Sequence, residues 1–324
     1  IVEKNMEEVS KNILEKENEP RLLTIGSSPH IRSNNSTFKI MLDVIIALTP
    51  AALFSVYLFG IKALLLILVS AASAVISEYS YEKLLGKELT VRDLSAIITG
   101  ILIAFNVPIG FPLWKLIFGN VFAIVIVKQL FGGIGQNFMN PALAARALLV
   151  ASWPTDMTNF YSDFTTAATP LSGGKEITLI DAFIGKTPGC IGEVSVLALL
   201  IGAVYLIVKR VIDPKIPTIF IFTTIITLIL TGTNINAIPI QIFSGGIILG
   251  AFYMATDYST SPVSSKGRCI YALGCGFITA IIRRFGALPE GVSYAILFMN
   301  ILTPLIEKLT VPKSFGGSKN EKKS

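Results

Sequence analysis

The sequence predicts an all-α, polytopic membrane protein of about ten transmembrane helices in two inverted five-helix repeats, and three observations lead there. First, 52% of the 324 residues are hydrophobic, 15% are charged and the mean hydropathy is +0.68, whereas an ordinary soluble domain carries about 25% charge. Second, the apolar residues fall in blocks long enough, at about 1.5 Å per residue, to cross a hydrocarbon core of about 30 Å. Third, Lys and Arg gather in alternate connecting segments, the asymmetry expected of a chain that keeps its positive loops in the cytoplasm. In hydrocarbon every backbone N–H and C=O must be paired within its own segment, and blocks of this length achieve that as helices.

Taken in order, the chain opens on a polar stretch, Ile1 to Ser36. It places the first apolar block too far in for a cleavable leader. The first residue is Ile, so a few residues are expected to precede it. Spans are expected near 39–60, 61–79, 93–107, 112–130, 141–153, 193–210, 216–232, 237–256, 267–284 and 290–308. Starting inside, the cytoplasmic segments collect Lys4, Lys11, Lys16, Arg21, Arg32 and Lys39, then Lys83, Lys87 and Arg92, then Lys209, Arg210 and Lys215. Lys266, Arg268 and the tail lysines from Lys308 to Lys323 follow, while the outer segments hold little beyond Lys62, Lys175, Lys186, Arg283 and Arg284. Both termini are therefore expected in the cytoplasm and residues 154–191 outside. The net charge of +6 reflects topology and anionic headgroups, not a nucleic-acid surface. The resulting division is a cytoplasmic arm 1–38, a first repeat 39–153, an outer loop 154–191, a second repeat 192–308 and a basic tail 309–324.

Five spans on each side of the outer loop put two homologous halves in opposite orientations, the plan of many transport folds. Asn106-Val107-Pro108 and Ser261-Pro262-Val263 break the chain at corresponding places, and the short fifth span opens at Asn140-Pro141 after Gly132, Gly133 and Gly135. Such interruptions read either as a ligand site near the midplane or as a plain re-entrant turn.

Few side chains are suited to acid–base or metal chemistry. The single histidine, His30, cannot build a His-rich site. Cys190, Cys269 and Cys275 lack C-x-x-C spacing and read as buried thiols, and no metal site is expected. No phosphate-binding G-x-x-x-x-G-K-[ST] loop is present. Intramembrane charge is expensive and so informative. Lys128 and Glu78 are expected to snorkel to the cytoplasmic interface, whereas Asp43 and Arg146 are candidates for an ion path. The run Thr256-Asp257-Tyr258-Ser259-Thr260-Ser261-Pro262 offers the oxygens a hard cation such as Na+ takes, with Asp257 the third ion-path candidate, or an ordinary capped turn.

The outer loop is the sharpest feature. Its Thr/Ala/Ser/Gly stretch reads as a flexible connector or as a site, since loops this long within compact domains tend to be functional. Pro170 keeps Thr169 out of any helix, so that its hydroxyl can be presented to an enzyme.

Asp163-x-x-Thr166-x-Ala168-Thr169 resembles the D-x-x-[ST]-G-A-T signature on which flavin transferases attach flavin mononucleotide (FMN) by a phosphoester to the last threonine. Ala167 stands where that signature has Gly. Four further segments are similar to the family formed by the RnfD component of the Rnf complex and the NqrB component of the Na+-pumping quinone reductase. They are Ser27-Ser28-Pro29-His30-Ile31-Arg32 with Lys39 to Val44; Gly132 to Ala142; Met254-Ala255-Thr256-Asp257 with Ser261-Pro262-Val263; and Gly286 to Ala295. The Ser-Ser-Pro-His-Ile-Arg start, without a long extra region before it, favours the Rnf branch.

The resemblance implies the flavin-carrying membrane component of an ion-translocating ferredoxin:NAD+ oxidoreductase in the bacterial cytoplasmic (inner) membrane, exporting Na+ or H+. It implies covalent FMN on Thr169, with Asp163 and Thr166 completing the motif, and a noncovalent riboflavin for which Asn137 and Asn140 are the candidate contacts. Implied partners are the other Rnf complex components (RnfA, RnfB, RnfC, RnfE and RnfG) and a flavin transferase, with no nucleic acid. With so few titratable groups, redox chemistry belongs to the cofactor, and the protein supplies position and electrostatics. Two other readings remain: the NqrB component of a Na+-translocating NADH:quinone reductase, and a non-redox channel or transporter of the same fold.

Overall fold

The computed structural model describes residues 36–162, 165–167, 181, 183, 185, 189–193, 195–286 and 291–311. Helix α1, Thr37–Phe59, and α2, Ile61–Leu84, form an antiparallel pair turned at Gly60, whose φ is +69°. They are followed by α3, Ser95–Phe105, and by α4, Leu113–Val121, which runs on through a π-helical segment, Phe122–Gln129. After the glycine-rich connection comes α5, Pro141–Ser152, with Asn140 as its N-cap accepting from the amides of Ala142 and Leu143. Pro141 at the first helical position lacks only an amide that would have had no partner there.

Past the outer loop lie α6, Val196–Val208, and α7, Lys215–Leu230. Next are α8, Ile238–Phe243, and α9, Ile247–Leu249, the latter continued by a π turn, Gly250–Met254. The last two helices are α10, Ser265–Phe285, and α11, Val292–Thr310. Among the described residues three helices, α1, α2 and α11, are long and apolar enough to cross a membrane. The broken pair Ile235–Phe243 and Ile247–Met254, bent by 61°, makes a fourth if taken as one span. Helices α3, α5, α6 and α7 are apolar but shorter.

Apolar surface points outward as well as inward. Tyr57, Leu230 and Leu309 are among large side chains more than three-quarters exposed, a surface that water would not tolerate and lipid tails would. Most of the buried core among the described residues is one large cluster that draws on both halves of the chain, beside a small one at Ala74, Ala96 and Ile124.

Small residues allow the closest helix crossing. Gly202 of α6 lies against α1, and a Cβ there would stand 1.9 Å from the Ala47 carbonyl oxygen and 2.3 Å from the Tyr253 hydroxyl oxygen. That hydroxyl donates to the Leu199 carbonyl at 2.8 Å. Close backbone approach at small residues is the usual means of helix association in membranes. Gly202→Ala should therefore force α1 and α6 apart and destabilise the fold by about 2 kcal/mol or more, as overpacking does; thermal unfolding in detergent would register the loss, and an unchanged midpoint would contradict the crossing.

The membrane core is all-α, as expected. The connecting loop adds a short hairpin, strand β1, Phe160–Ser162, paired antiparallel with β2, Thr165–Ala167, which places Tyr161 opposite Thr166. The chain is non-helical between Met254 and Ser265, a stretch that includes the expected break at Ser261-Pro262-Val263. A further break, which the sequence reading did not name, lies at Ser244-Gly245-Gly246, where both glycines have positive φ and Arg283 donates to the Gln241, Ser244 and Gly245 carbonyls. The guanidinium supplies the donors that the interrupted helix no longer can.

Candidate functional site

Three groups of polar side chains are packed among the helices, and each is built from a break or a π turn. The first lines a pair of adjoining clefts. The glycines of the 132–135 segment, all with positive φ, turn the chain so that Asn137 and Asn140 approach the end of the π turn at Met254. Asn140 donates its Nδ2 to the Met254 carbonyl at 3.3 Å while its Oδ1 caps α5. Both roles are therefore present: Asn140 is an N-cap residue and a bridge to the second half.

The inner cleft, about 110 Å³, is lined by Asn137, Asn140, Ser95, Lys128, Thr256 and Asp257 among apolar side chains. The outer one, about 540 Å³, shares Asp257, Tyr258 and Ser259 and adds Asn300, Thr303 and Glu307. Asn300 is 1% exposed and its Nδ2 has no partner among the described residues, although its Oδ1 accepts from Tyr271 at 2.7 Å. A concave, largely apolar surface with a few convergent polar groups is the usual form of a small-molecule site. Asp257 accepts hydrogen bonds from the Ser259 hydroxyl at 3.0 Å and the Thr260 hydroxyl at 3.3 Å. Burial raises its carboxyl above the usual carboxylate range, and those hydrogen bonds partly oppose the rise.

The second group surrounds Arg146 on α5. Its Nη1 reaches Asn106 Oδ1 at 2.5 Å and Glu193 Oε1 at 3.1 Å, and its Nη2 lies 3.8 Å from the Cys190 sulfur. Asn106 is the residue at which α3 stops. Into that gap the end of the outer loop inserts as if it were a strand: the Ile191 amide donates to the Val107 carbonyl and the Gly192 amide to the Phe105 carbonyl. Ser55 closes the arrangement by donating to the Ile191 carbonyl at 2.7 Å. Burial pushes the Cys190 thiol up to about 12, so it remains a neutral thiol at physiological pH and donates to the Asn106 carbonyl.

The third group corrects the expectation that Lys128 and Glu78 reach an interface. Lys128 is 3% exposed and Glu78 fully buried. The lysine donates to Glu78 Oε1 and to the Ser95 hydroxyl, both at 2.6 Å. Gln129 donates to Glu78 at 2.7 Å and to Glu82 at 3.2 Å, and Glu82 also accepts from the amide and hydroxyl of Thr90. The π segment brings Lys128 and Gln129, neighbours in sequence, onto the same carboxylate, that of Glu78. π turns frequently occur at functional positions. Glu78 Oε2 has no hydrogen-bond partner among the described residues.

Asp43 stands apart, accepting from the Tyr205 hydroxyl at 2.6 Å between α1 and α6. The outer loop is held at its start by aromatic packing of Trp153 against Trp114 and Phe118 and by the Lys115–Asp156 ion pair. Of the flavin motif, Thr166 belongs to β2 by its backbone, while Asp163 and Thr169 lie outside the described residues. Among the described residues no group of three or more His, Cys, Asp or Glu could hold a metal ion. Thus Asn137, Asn140 and Asp257 meet at one place, and Arg146 and Asp43 each sit at another. Sequence reasoning missed Glu193, Asn106 as a side-chain partner, Asn300 and the Glu82–Gln129 link. Only Asn106 carried a signal, as the first residue of the break.

Residues 24–316 match the sequence model described as the NQR2, RnfD, RnfE family. The chain is similar to the D component of the Na(+)-translocating ferredoxin:NAD(+) oxidoreductase complex of Acetobacterium woodii, 51% identical over 315 residues that cover 93% of this chain and 98% of the relative. It is also similar to the D component of the proton-translocating ferredoxin:NAD(+) oxidoreductase complex of Clostridium ljungdahlii, 42% identical over 319 residues, 91% of this chain and 96% of the relative. The D component of the ion-translocating oxidoreductase complex of Stutzerimonas stutzeri is 35% identical over 332 residues, 87% of this chain and 93% of the relative.

Proposed function

The chain belongs to the NQR2, RnfD, RnfE family, and from that premise we propose that it is the RnfD-type membrane component of an ion-translocating ferredoxin:NAD+ oxidoreductase, carrying flavin on its outer loop and among its helices. The observation that carries the reading is identity of 51% along nearly the whole length of a relative so named. The cation is Na+ in the name of one relative and H+ in that of another. The other components of the complex are its partners, and a flavin transferase is the partner that loads it.

Ten membrane crossings in two inverted halves suit the helix order: among the described residues five helical segments precede the loop and, with the bent pair taken as one, five follow it. The short helices and the bent pair suit a transport fold, in which irregular backbone at membrane depth is tolerated where protein buries it. Both termini lie in the cytoplasm of a bacterial inner membrane and the Thr169 loop outside, as the Lys and Arg distribution requires. FMN is joined through its phosphate to Thr169, two residues past the end of β2, with Asp163 and Thr166 as the rest of the transferase motif.

The adjoining clefts fit a noncovalent riboflavin in their chemistry: an apolar wall for a ring system, Asn137 and Asn140 for its polar edge, and the unpartnered Asn300 amide as a donor. A bound flavin would supply electron storage and transfer; the chain's own residues bind, orient and exclude water. Asp257, with the hydroxyls around it, is the ion-path candidate beside the clefts, and Asp43 a separate one between α1 and α6.

The reading is tested on the purified chain, expressed with a flavin transferase: the denatured polypeptide should fluoresce under ultraviolet light, and a non-fluorescent one would remove it. Noncovalent flavin is measured separately, as the fraction released by denaturation. Asn137→Leu should lower retention of that released fraction by about tenfold, since a buried polar partner left unmade costs one to two powers of ten in binding, while the covalent fraction stays unchanged. Equal retention would take Asn137 out of the site.

A further inference from the structure

The outer loop and the inner clefts are joined by an unbroken series of buried contacts, and Arg146 stands at its centre. From the loop's root, Cys190 and Glu193 meet the guanidinium. From the guanidinium the series passes to Asn106, whose Nδ2 lies 3.8 Å from the Met254 sulfur. The Met254 carbonyl in turn accepts from Asn140, which lines the inner cleft beside Asp257. Both helix breaks are included. Asn106 ends α3, and Glu193 presses on Gly246 so closely that a Cβ there would come within 2.5 Å of its Oε1.

We propose that Arg146 is a positioning residue that couples the flavin-bearing loop to the inner cleft. It grips the loop's root and the α3 break with one planar fork, so that a displacement of the loop is passed to Asn106, Met254 and Asn140. Rigidity along the series is what transmits. Gly192 is seated against the Phe105 ring, where a Cβ would be 2.3 Å from the nearest side-chain atom, and Arg146 is 6% exposed. A guanidinium presents several donors in a fixed plane, whereas an ammonium is a point charge on a flexible stem. Arg146→Lys thus keeps the charge and removes the geometry.

This inference rests on the proposed flavin at Thr169 and on the proposed ion pumping, and its test separates the three. The whole complex is reconstituted in liposomes with Arg146→Lys, and with the paired replacement Arg146→Met and Glu193→Met. The paired variant removes both members of the ion pair at once, and such apolar replacements are often neutral for folding. The readouts are covalent flavin fluorescence, ferredoxin-dependent NAD+ reduction, and ions moved per NAD+ reduced. Both variants are expected to keep the fluorescence and reduce NAD+ within about twofold of the parent, while ions moved per turnover fall at least about fivefold, the lower end of ordinary coupling between sites.

An unchanged ratio in whichever variant assembles overturns the proposal. So does a paired variant that fully restores a ratio lost in Arg146→Lys, because Arg146 would then matter only for burying charge. If neither variant assembles, Asn106→Leu, which leaves the ion pair and cuts the next contact, is expected to show the same fall, and an unchanged ratio there overturns the proposal equally. Absence of covalent flavin in the parent would instead sink the Thr169 reading, and absence of transport in the parent the pumping reading.

Discussion

Thr169→Ala is expected to abolish the ultraviolet fluorescence of the denatured polypeptide while leaving its yield in the membrane unchanged. The effect is all or none, because a phosphoester requires the hydroxyl oxygen that alanine lacks. The cost to folding is small: both roots of the loop are fixed by other residues, Trp153 and Asp156 at one end and Cys190 to Glu193 at the other, so Thr169 is not needed to hold the helices together. Substitutions away from buried networks usually change stability by no more than about 0.5 kcal/mol. Thr169→Ser, which restores a hydroxyl, should recover fluorescence in part. Fluorescence that persists in Thr169→Ala would move the attachment elsewhere, and a collapse in yield would show the threonine to be structural.

The largest stability effect is expected at Lys128→Met. Its ammonium is the only cation within hydrogen-bond reach of Glu78 among the described residues, and removing it strands a buried carboxylate whose second oxygen already has no partner. Breaking a buried pair from one side costs about 3–5 kcal/mol. Pairing Lys128→Met with Glu78→Leu should recover most of that, because no uncompensated charge remains and Glu82 keeps its bonds to Gln129 and Thr90. The thermal unfolding midpoint in detergent would separate the cases. A single variant as stable as the parent would mean that the ion pair adds nothing to the fold; a double variant no better than the single would mean that Ser95 and its neighbours depend on the lysine itself.

These two positions were not equally legible in the sequence. Thr169 could be proposed from the sequence alone because a signal for covalent modification is short and contiguous, and a few neighbouring residues are enough to carry it. Lys128 was misjudged, since snorkelling or pairing depends on how far the residue lies from the end of its helix and on what faces it. The π segment Phe122–Gln129 turns Lys128 and Gln129 together toward Glu78 and Glu82, residues far away in sequence. Arg146 shows the same limit. Its position inside a short apolar helix marked it as unusual, but its partners come from the end of α3 and from residue 193, and no local pattern names them. The hairpin at 160–167 was hidden for the opposite reason, being too short for its alternation to register.

By itself the sequence determined that this chain is an apolar, helical protein with little chemistry of its own, how its Lys and Arg residues are distributed, which family it resembles and which motif puts forward Thr169 as the proposed point of attachment. Those properties follow from local quantities: hydropathy over a window, the balance of Lys and Arg, and contiguous motifs. The tertiary structure alone decided that the second half also breaks at Ser244-Gly245-Gly246, that Glu78 and Lys128 are buried together, and that Asn137, Asn140 and Asp257 meet at one cleft while Arg146 clasps the root of the outer loop. Those depend on which helices pack side by side, and a buried charge takes its partner from whatever neighbour the packing supplies.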